Sequence, residues 1–286
     1  MAQNPPASSG TKKGFDIFAL VGVFGGLLGV MGSWIAFEHG NVASLAQASP
    51  PIIVFGGTFA CLLIAFPPAV VFNFPKYLMK ALTIHQEDPV VVVQTFARLA
   101  ERARREGLLS LEEEAQTLPS AFMRNGIQEV VDGTPLEQIQ LLLETEIESM
   151  EERHKLGADV FEQGGGFAPT MGIIGTVLGL MSTLGGLANS GTEQLGESIA
   201  VAFVATFFGI LSSNFFWLPM AKRLRRKSEE EVAYYRMIVE GILAIQAGDS
   251  PRVVGAKLEG FLPPAQKARL RAAEQSGGFA TAAAGA

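Results

Sequence analysis

The sequence predicts an all-α, polytopic membrane protein with four transmembrane helices and a helical cytoplasmic domain. Three observations predict it. Charged residues make up 17% of the 286-residue chain, against 48% hydrophobic, and the mean hydropathy is +0.29. Soluble domains usually carry roughly 25% charge. The apolar residues are gathered into four blocks separated by charged ones, the signature of bilayer spans. The charged blocks repeat their apolar residues at helical spacing, and strand signals are weak throughout.

The leader "MAQNPPASSG" is low in complexity and is expected to be disordered. Ile17 to Phe37 is free of charge and close to the roughly 20 residues that cross a bilayer core. Ile52 to Phe74 is the second span, where Pro67 and Pro68 should kink or unwind the helix. "AQA" at Ala46 to Ala48 resembles a signal cleavage site. The apolar run before it is longer than the roughly 7–15 residues of a signal peptide, and the site lies well beyond its end. The first block is therefore read as a retained span.

A cytoplasmic block follows. "SLEE" from Ser110 and "TPLE" from Thr134 both fit a capping box, with Pro135 suited to a first helical turn. Leu136, Ile139, Leu143, Ile147 and Met150 then recur on one face, and this helix is expected to run on through Gly164 into the third span. Asp132-Gly133 marks a turn and Ser250-Pro251 a helix start. The third span is Phe167 to Leu187, the fourth Ile199 to Met220, and "SEEEVAYYRMIVEGILAIQ" repeats the amphipathic pattern beyond it. The tail "SGGFATAAAGA" is expected to be disordered. The expected division is a leader (1–14), spans one and two (15–74), a cytoplasmic helical domain (75–165), spans three and four (166–221), cytoplasmic helices (222–270) and a tail (271–286).

Basic residues give the orientation. Lys12, Lys13, Lys76, Lys80 and "AKRLRRK" flank the spans on one side, whereas "EHGNVASLAQASP" and "ANSGTEQLGE" contain no lysine or arginine. The positive-inside rule then places both termini and the long central block in the cytoplasm.

Net charge and motifs exclude several functions. At −6 the chain has no basic surface for nucleic acid. His39, His85 and His154 lack ligand spacing, the single Cys61 sits in an apolar block, and no phosphate loop or nucleophile–base arrangement appears. No cofactor is implied.

The informative stretch is "GGGFAPTMGIIGTVLGLM", Gly164 to Met181. Helices in lipid gain little by burying apolar side chains against each other, so close backbone contact and hydrogen bonds hold them. Gly172, Gly175 and Gly179 put small residues on one side of the third span, with Thr176 and Thr183 on a neighbouring stripe. Ala202, Thr206, Gly209 and Ser213 share a face of the fourth. A hairpin centred near Gly191 would bring Thr176 and Thr206 to the same depth. Two readings remain open: each threonine bonded back to its own helix, or a polar pathway. No Asp, Glu, Lys, Arg or His lies within the four blocks. Ion pathways need an ionisable group, so an ion-moving partner would have to supply the carboxylate. "ERARREGLLSLEEE", Glu101 to Glu114, reads either as a solvated face or as a docking surface for a charged partner.

At "FAPTMGIIGTVLGL", "AVAFVATFFGILSSNFFWLPMAKRL" and "RREGLLSLEEE", in this order of spans, the chain resembles the MotA/PomA family of flagellar stator subunits. The resemblance runs from Phe15 to about Pro264. It implies a homopentameric ring in the bacterial inner membrane around two copies of a MotB-like single-span protein, whose aspartate takes up the transported ion, H+ or Na+. It also implies a push on the rotor switch protein FliG. By the family's motifs, Pro169 and Pro219 are gating prolines, Thr176 and Thr206 line the ion pathway, and Arg104 and Glu112 contact the rotor. Sodium-type members resemble the chain at Thr176, but Ala205-Thr206 keeps one of their two adjacent threonines, so protons are the expected ion. The related ExbB/TolQ subunits have three spans, which the extra hairpin from Ile17 to Phe74 argues against. A passive membrane scaffold is the reading of a different class.

Overall fold

The computed structural model describes residues 12–39, 42–86, 88–186 and 192–273. In chain order its helices are α1 (Ile17–Glu38), α2 (Ser49–Pro51), α3 (Gly57–Ala65), α4 (Pro68–Phe72), α5 (Phe74–Leu82), α6 (Pro89–Glu106), α7 (Leu111–Ala115), α8 (Ala121–Val131), α9 (Leu136–Gly186), α10 (Thr192–Ser212), α11 (Leu218–Gln246), α12 (Pro251–Glu259) and α13 (Pro264–Ala273). Two π turns, Ile52–Gly56 and Ser213–Trp217, join α2 to α3 and α10 to α11. The expected leader and tail lie largely outside the described residues, as does the hairpin apex near Gly191.

The chain divides into two compact units. Of the described residues, the first gathers 85–151 and 229–273, together with 12 and 13. Phe96, Leu99, Leu111, Met123, Ile127, Ile139, Ile238 and Ile242 fill its core. Its helices sit close because glycine permits it: a Cβ on Gly126 would stand 2.3 Å from Ile242, and one on Gly241 would stand 2.7 Å from the Phe96 ring. Ile139, Leu143 and Ile147 of the expected stripe are buried, while Leu136 at its end is exposed.

Local signals in this unit fared unevenly. Gly133 has φ of 75°, the left-handed conformation that a glycine turn requires. Pro251 opens α12 as expected. Ser110 does not cap α7: its hydroxyl donates to Gly107 O at 2.6 Å instead, because Gly107 (φ 85°) ends α6 and turns that carbonyl toward it. Thr134 likewise donates to Glu129 Oε2 at 2.8 Å rather than closing a capping box. The cap that does form is Asp88, whose Oδ1 accepts from Val90 N at the start of α6.

The second unit comprises residues 14–84 and 152–228. Among the described residues, three helices contain stretches long and apolar enough to cross a membrane, within Leu20–Phe37, Leu136–Gly186 and Ser198–Gln246; Ser49–Ala65 is a shorter apolar helix. The expected second span is thus divided. Phe66 takes an extended backbone (φ −127°, ψ 152°) after α3, and Pro68 starts α4, as two successive prolines dictate. The third span is the end of the 51-residue α9, which passes through Pro169 without interruption. The helix of the fourth begins at Thr192 rather than Ile199.

Trp217, 1% exposed, anchors the core of this unit among Phe59, Phe74, Phe161 and Phe216, with ring centroids 5.3–6.0 Å away. Two four-residue strands, Lys12–Phe15 and Thr83–Gln86, pair with each other. This is an exception to the all-helical expectation, too short for side-chain alternation to betray. Next to it, Lys227 Nζ donates to Lys80 O (2.7 Å), Ala81 O (2.8 Å) and Thr83 O, and Arg223 Nε donates to Ala81 O (3.2 Å). Arg223 also pairs with Asp16, just before α1. The last carbonyls of α5 would otherwise lack donors, and two cations satisfy them. Part of the basic run after the fourth span therefore holds structure as well as facing an aqueous side.

Candidate functional site

The small-residue faces of α9 and α10 meet backbone to backbone. A Cβ on Gly172 would lie 2.8 Å from Ala205 O and 3.0 Å from Thr206 Cα, and one on Gly209 would lie 2.6 Å from Ala168 O. Gly175 and Gly179 face the Cβ atoms of Ala205 and Ala202 in the same way, at 2.7 and 2.9 Å. None of these positions has room for a side chain, which is why the stripe reads glycine–alanine throughout.

Thr176 and Thr206 face each other across this seam, Oγ1 to Oγ1 at 2.6 Å. Thr176 Oγ1 also lies 3.1 Å from Gly172 O and 3.0 Å from Ala202 O, and Thr206 Oγ1 lies 3.4 Å from Gly172 O. Gly172 and Ala202 are the residues four positions before each threonine, so the carbonyls that would accept ordinary back-bonds are here shared between helices. Each hydroxyl has one proton, so the contacts alternate. Either Thr176 donates to a carbonyl while Thr206 donates to Thr176, or Thr206 donates to Gly172 O while Thr176 donates to Thr206. By contrast Thr183 simply bonds back to Gly179 O at 2.9 Å.

The two hydroxyls are not equally accessible. Thr176 is 8% exposed, whereas half-buried Thr206 lines a cleft of about 480 Å³ with Val30, Phe203, Phe207, Ile210, Leu211, Asn214 and Phe215. Asn214 is the one polar residue of that wall besides Thr206; its Nδ2 donates to Ile210 O at 2.9 Å. It sits two helical turns from Thr206 on the same face. Sequence reasoning missed it, although an amide in an apolar block is itself a signal.

Of the two prolines, Pro169 sits at the same seam. Pro169 lies within α9, close to Gly209, and Pro219 follows the π turn in which Leu218 N–H reaches back five residues to Ser213 O. A π turn before a proline lets the helix continue past its missing donor.

Comparison with known proteins gives the family. The model of the MotA/TolQ/ExbB proton channel family matches residues 114–237. Motility protein A of Bacillus subtilis is 37% identical over 261 residues, covering 87% of this chain and 93% of that protein. The chemotaxis protein PomA of Vibrio alginolyticus is 31% identical, covering 88% and 98%. The chain in the structure of the flagellar MotAB stator complex from Bacillus subtilis superposes with a TM-score of 0.79 at 33% identity, covering 88% and 98%. That of C. jejuni MotAB gives 0.79 at 28%, covering 87% and 96%. The chain belongs to the Motility protein A family.

Membership of the Motility protein A family makes it a membrane protein and an ion-conducting stator subunit of the flagellar motor. The remaining residues singled out by the family's motifs lie in the first compact unit. Arg104 and Glu112 are both exposed, and neither makes an ion pair among the described residues. Their neighbours do: Arg98 and Arg102 bind Glu114 at 2.9 and 3.2 Å, Arg102 also binds Glu106 at 3.2 Å, and Arg105 binds Glu101 at 2.5 Å. Hydrogen bonds donated to Glu114 and then to Glu106 push the Arg102 guanidinium above its ordinary pKa. The charged run thus sorts into residues that brace the α6–α7 turn and two that project from it. Leu109, 74% exposed, stands between those two in sequence.

Proposed function

We propose that five copies of this chain surround two copies of a MotB-like, single-span partner in the bacterial inner membrane, with four spans per copy and both termini in the cytoplasm. The partner's aspartate carries the ion, and the ring turns around it to drive the rotor switch protein FliG through Arg104 and Glu112. The observation that carries this reading is a seam between two charge-free spans, 167–187 and 199–220, that has Thr206 on the wall of an open cleft. Such a wall can guide an ion but cannot titrate, which fits a pathway completed by an acidic partner. Its structural likeness to the MotAB complexes supports the same partner.

Protons are the ion we favour. A sodium ion needs several oxygen ligands in place of its water. Here the Thr176 oxygen is enclosed and engaged with Gly172, Ala202 and Thr206, leaving the cleft two polar side chains among apolar ones. A proton needs only the carboxylate and a water path. Pro169 and Pro219 are placed to let α9 and α11 bend as that carboxylate changes charge.

The deciding experiment measures swimming speed against sodium concentration at fixed pH. A flat response is expected; a speed that rises with sodium would exclude protons as the driving ion. Charge reversal at Arg104 or Glu112 should abolish torque while conduction persists. Lost conduction would remove the docking role.

A further inference from the structure

We infer that Ser213 is a positioning residue for α9 at Pro169, supplying the hydrogen-bond donor that proline withholds from Gly165. Pro169 has no amide proton, so the carbonyl four residues earlier, Gly165 O, has no i+4 donor. A buried backbone carbonyl without a partner is costly, and Gly165 is buried. Ser213 Oγ donates to Gly165 O at 2.7 Å, and Ser213 is 3% exposed.

Packing around Gly164 and Gly165 is close. A Cβ on Gly164 would stand 2.4 Å from the Trp217 ring, one on Gly165 would stand 2.5 Å from Leu218, and Ala168 O is already against Gly209. Gly164, Gly165 and Ala168 are therefore packed against the π turn, α11 and α10, whose side chains are the nearest source of a donor. This also explains two glycines of the "GGG" run.

The choice of acceptor is not the ordinary one for a helical serine. Ser212 and Asn214 on either side bond back to their own helix, at Gly209 O (3.1 Å) and Ile210 O (2.9 Å). Ser213 reaches 48 residues along the chain instead. It is also the first residue of the π turn, and its own carbonyl accepts from Leu218 N–H immediately before Pro219. One residue thus links the missing backbone hydrogen bond at Pro169 to the π turn before Pro219. Bending α9 at its proline requires breaking a bond that anchors the π turn, so the two hinges move together. That consequence rests on the stator reading; the bond itself does not.

The test is hydrogen–deuterium exchange on the full-length chain purified with its co-expressed partner. Ser213→Ala should speed exchange over residues 164–172 by about tenfold, the size expected when a buried acceptor loses its donor. Ser213→Thr, which keeps the hydroxyl, should restore protection. Pro169→Ala returns a backbone N–H to Gly165 O, so adding Ser213→Ala in that background should change exchange less than twofold. An unchanged rate in the single variant, or an equal acceleration in both backgrounds, would overturn the inference. If Ser213→Ala does not assemble, assembly regained with Pro169→Ala supports it, and failure in both backgrounds overturns it. Ion flux through the unmodified complex in the same preparations tests the stator reading separately.

Discussion

Gly209→Ala puts a methyl group where the structure leaves least space. Its Cβ would lie 2.6 Å from Ala168 O, 3.1 Å from Pro169 Cα and 3.2 Å from Gly172 Cα. All three are backbone atoms and cannot rotate aside. An ordinary carbon–oxygen contact is roughly 3.3–3.6 Å, so α9 and α10 must separate by about 0.7–1 Å. Overpacking of this kind costs about 1–3 kcal/mol, and a radial gap of about 0.5–1 Å forfeits a quarter to a half of each dispersion contact along the seam. The 3.0 Å contact from Thr176 to Ala202 O would also stretch beyond hydrogen-bonding range. Alanine returns about 1 kcal/mol of helix propensity, leaving a net loss of about 2 kcal/mol. The assay is survival of the purified complex on size exclusion after graded heating. Gly25→Ala and Gly166→Ala serve as controls, because a Cβ there meets nothing within 4 Å in the chain. Gly209→Ala should fail at clearly lower temperature than either. Equal survival of all three would refute the backbone contact.

Three further outcomes are expected. Thr176→Val and Thr206→Val should be strongly non-additive in the same assay, with a coupling of about 0.6–1.7 kcal/mol; additive losses would mean the 2.6 Å contact carries no energy. Lys227→Met should leave the last carbonyls of α5 short of donors and speed exchange over residues 79–83 several-fold, and unchanged protection there would remove the cap. Arg102→Met should loosen the α6–α7 turn by unpairing Glu106 and leaving Glu114 to Arg98 alone, an effect measurable as faster exchange over residues 106–114 and weaker at high salt, whereas Arg104→Met should leave exchange unchanged because Arg104 makes no ion pair among the described residues.

The sequence by itself determined what depends on composition and on spacing along one helix. Charge-free blocks, the glycine–alanine stripe and the depth match of Thr176 with Thr206 follow from a fixed rise and repeat per residue. The paired prolines likewise announced the break at Phe66. Tertiary structure decided what depends on partners far apart in the chain. Ser213 was legible as a small residue on the packing face, but its reach to Gly165 is a contact across 48 residues. Lys227 reads as one more positive-inside charge until α5 is placed beside it, 146 residues earlier. The expected caps at Ser110 and Thr134 failed for the same physical reason: a hydroxyl bonds to whichever carbonyl or carboxylate the folded chain brings nearest, and local spacing does not set that choice.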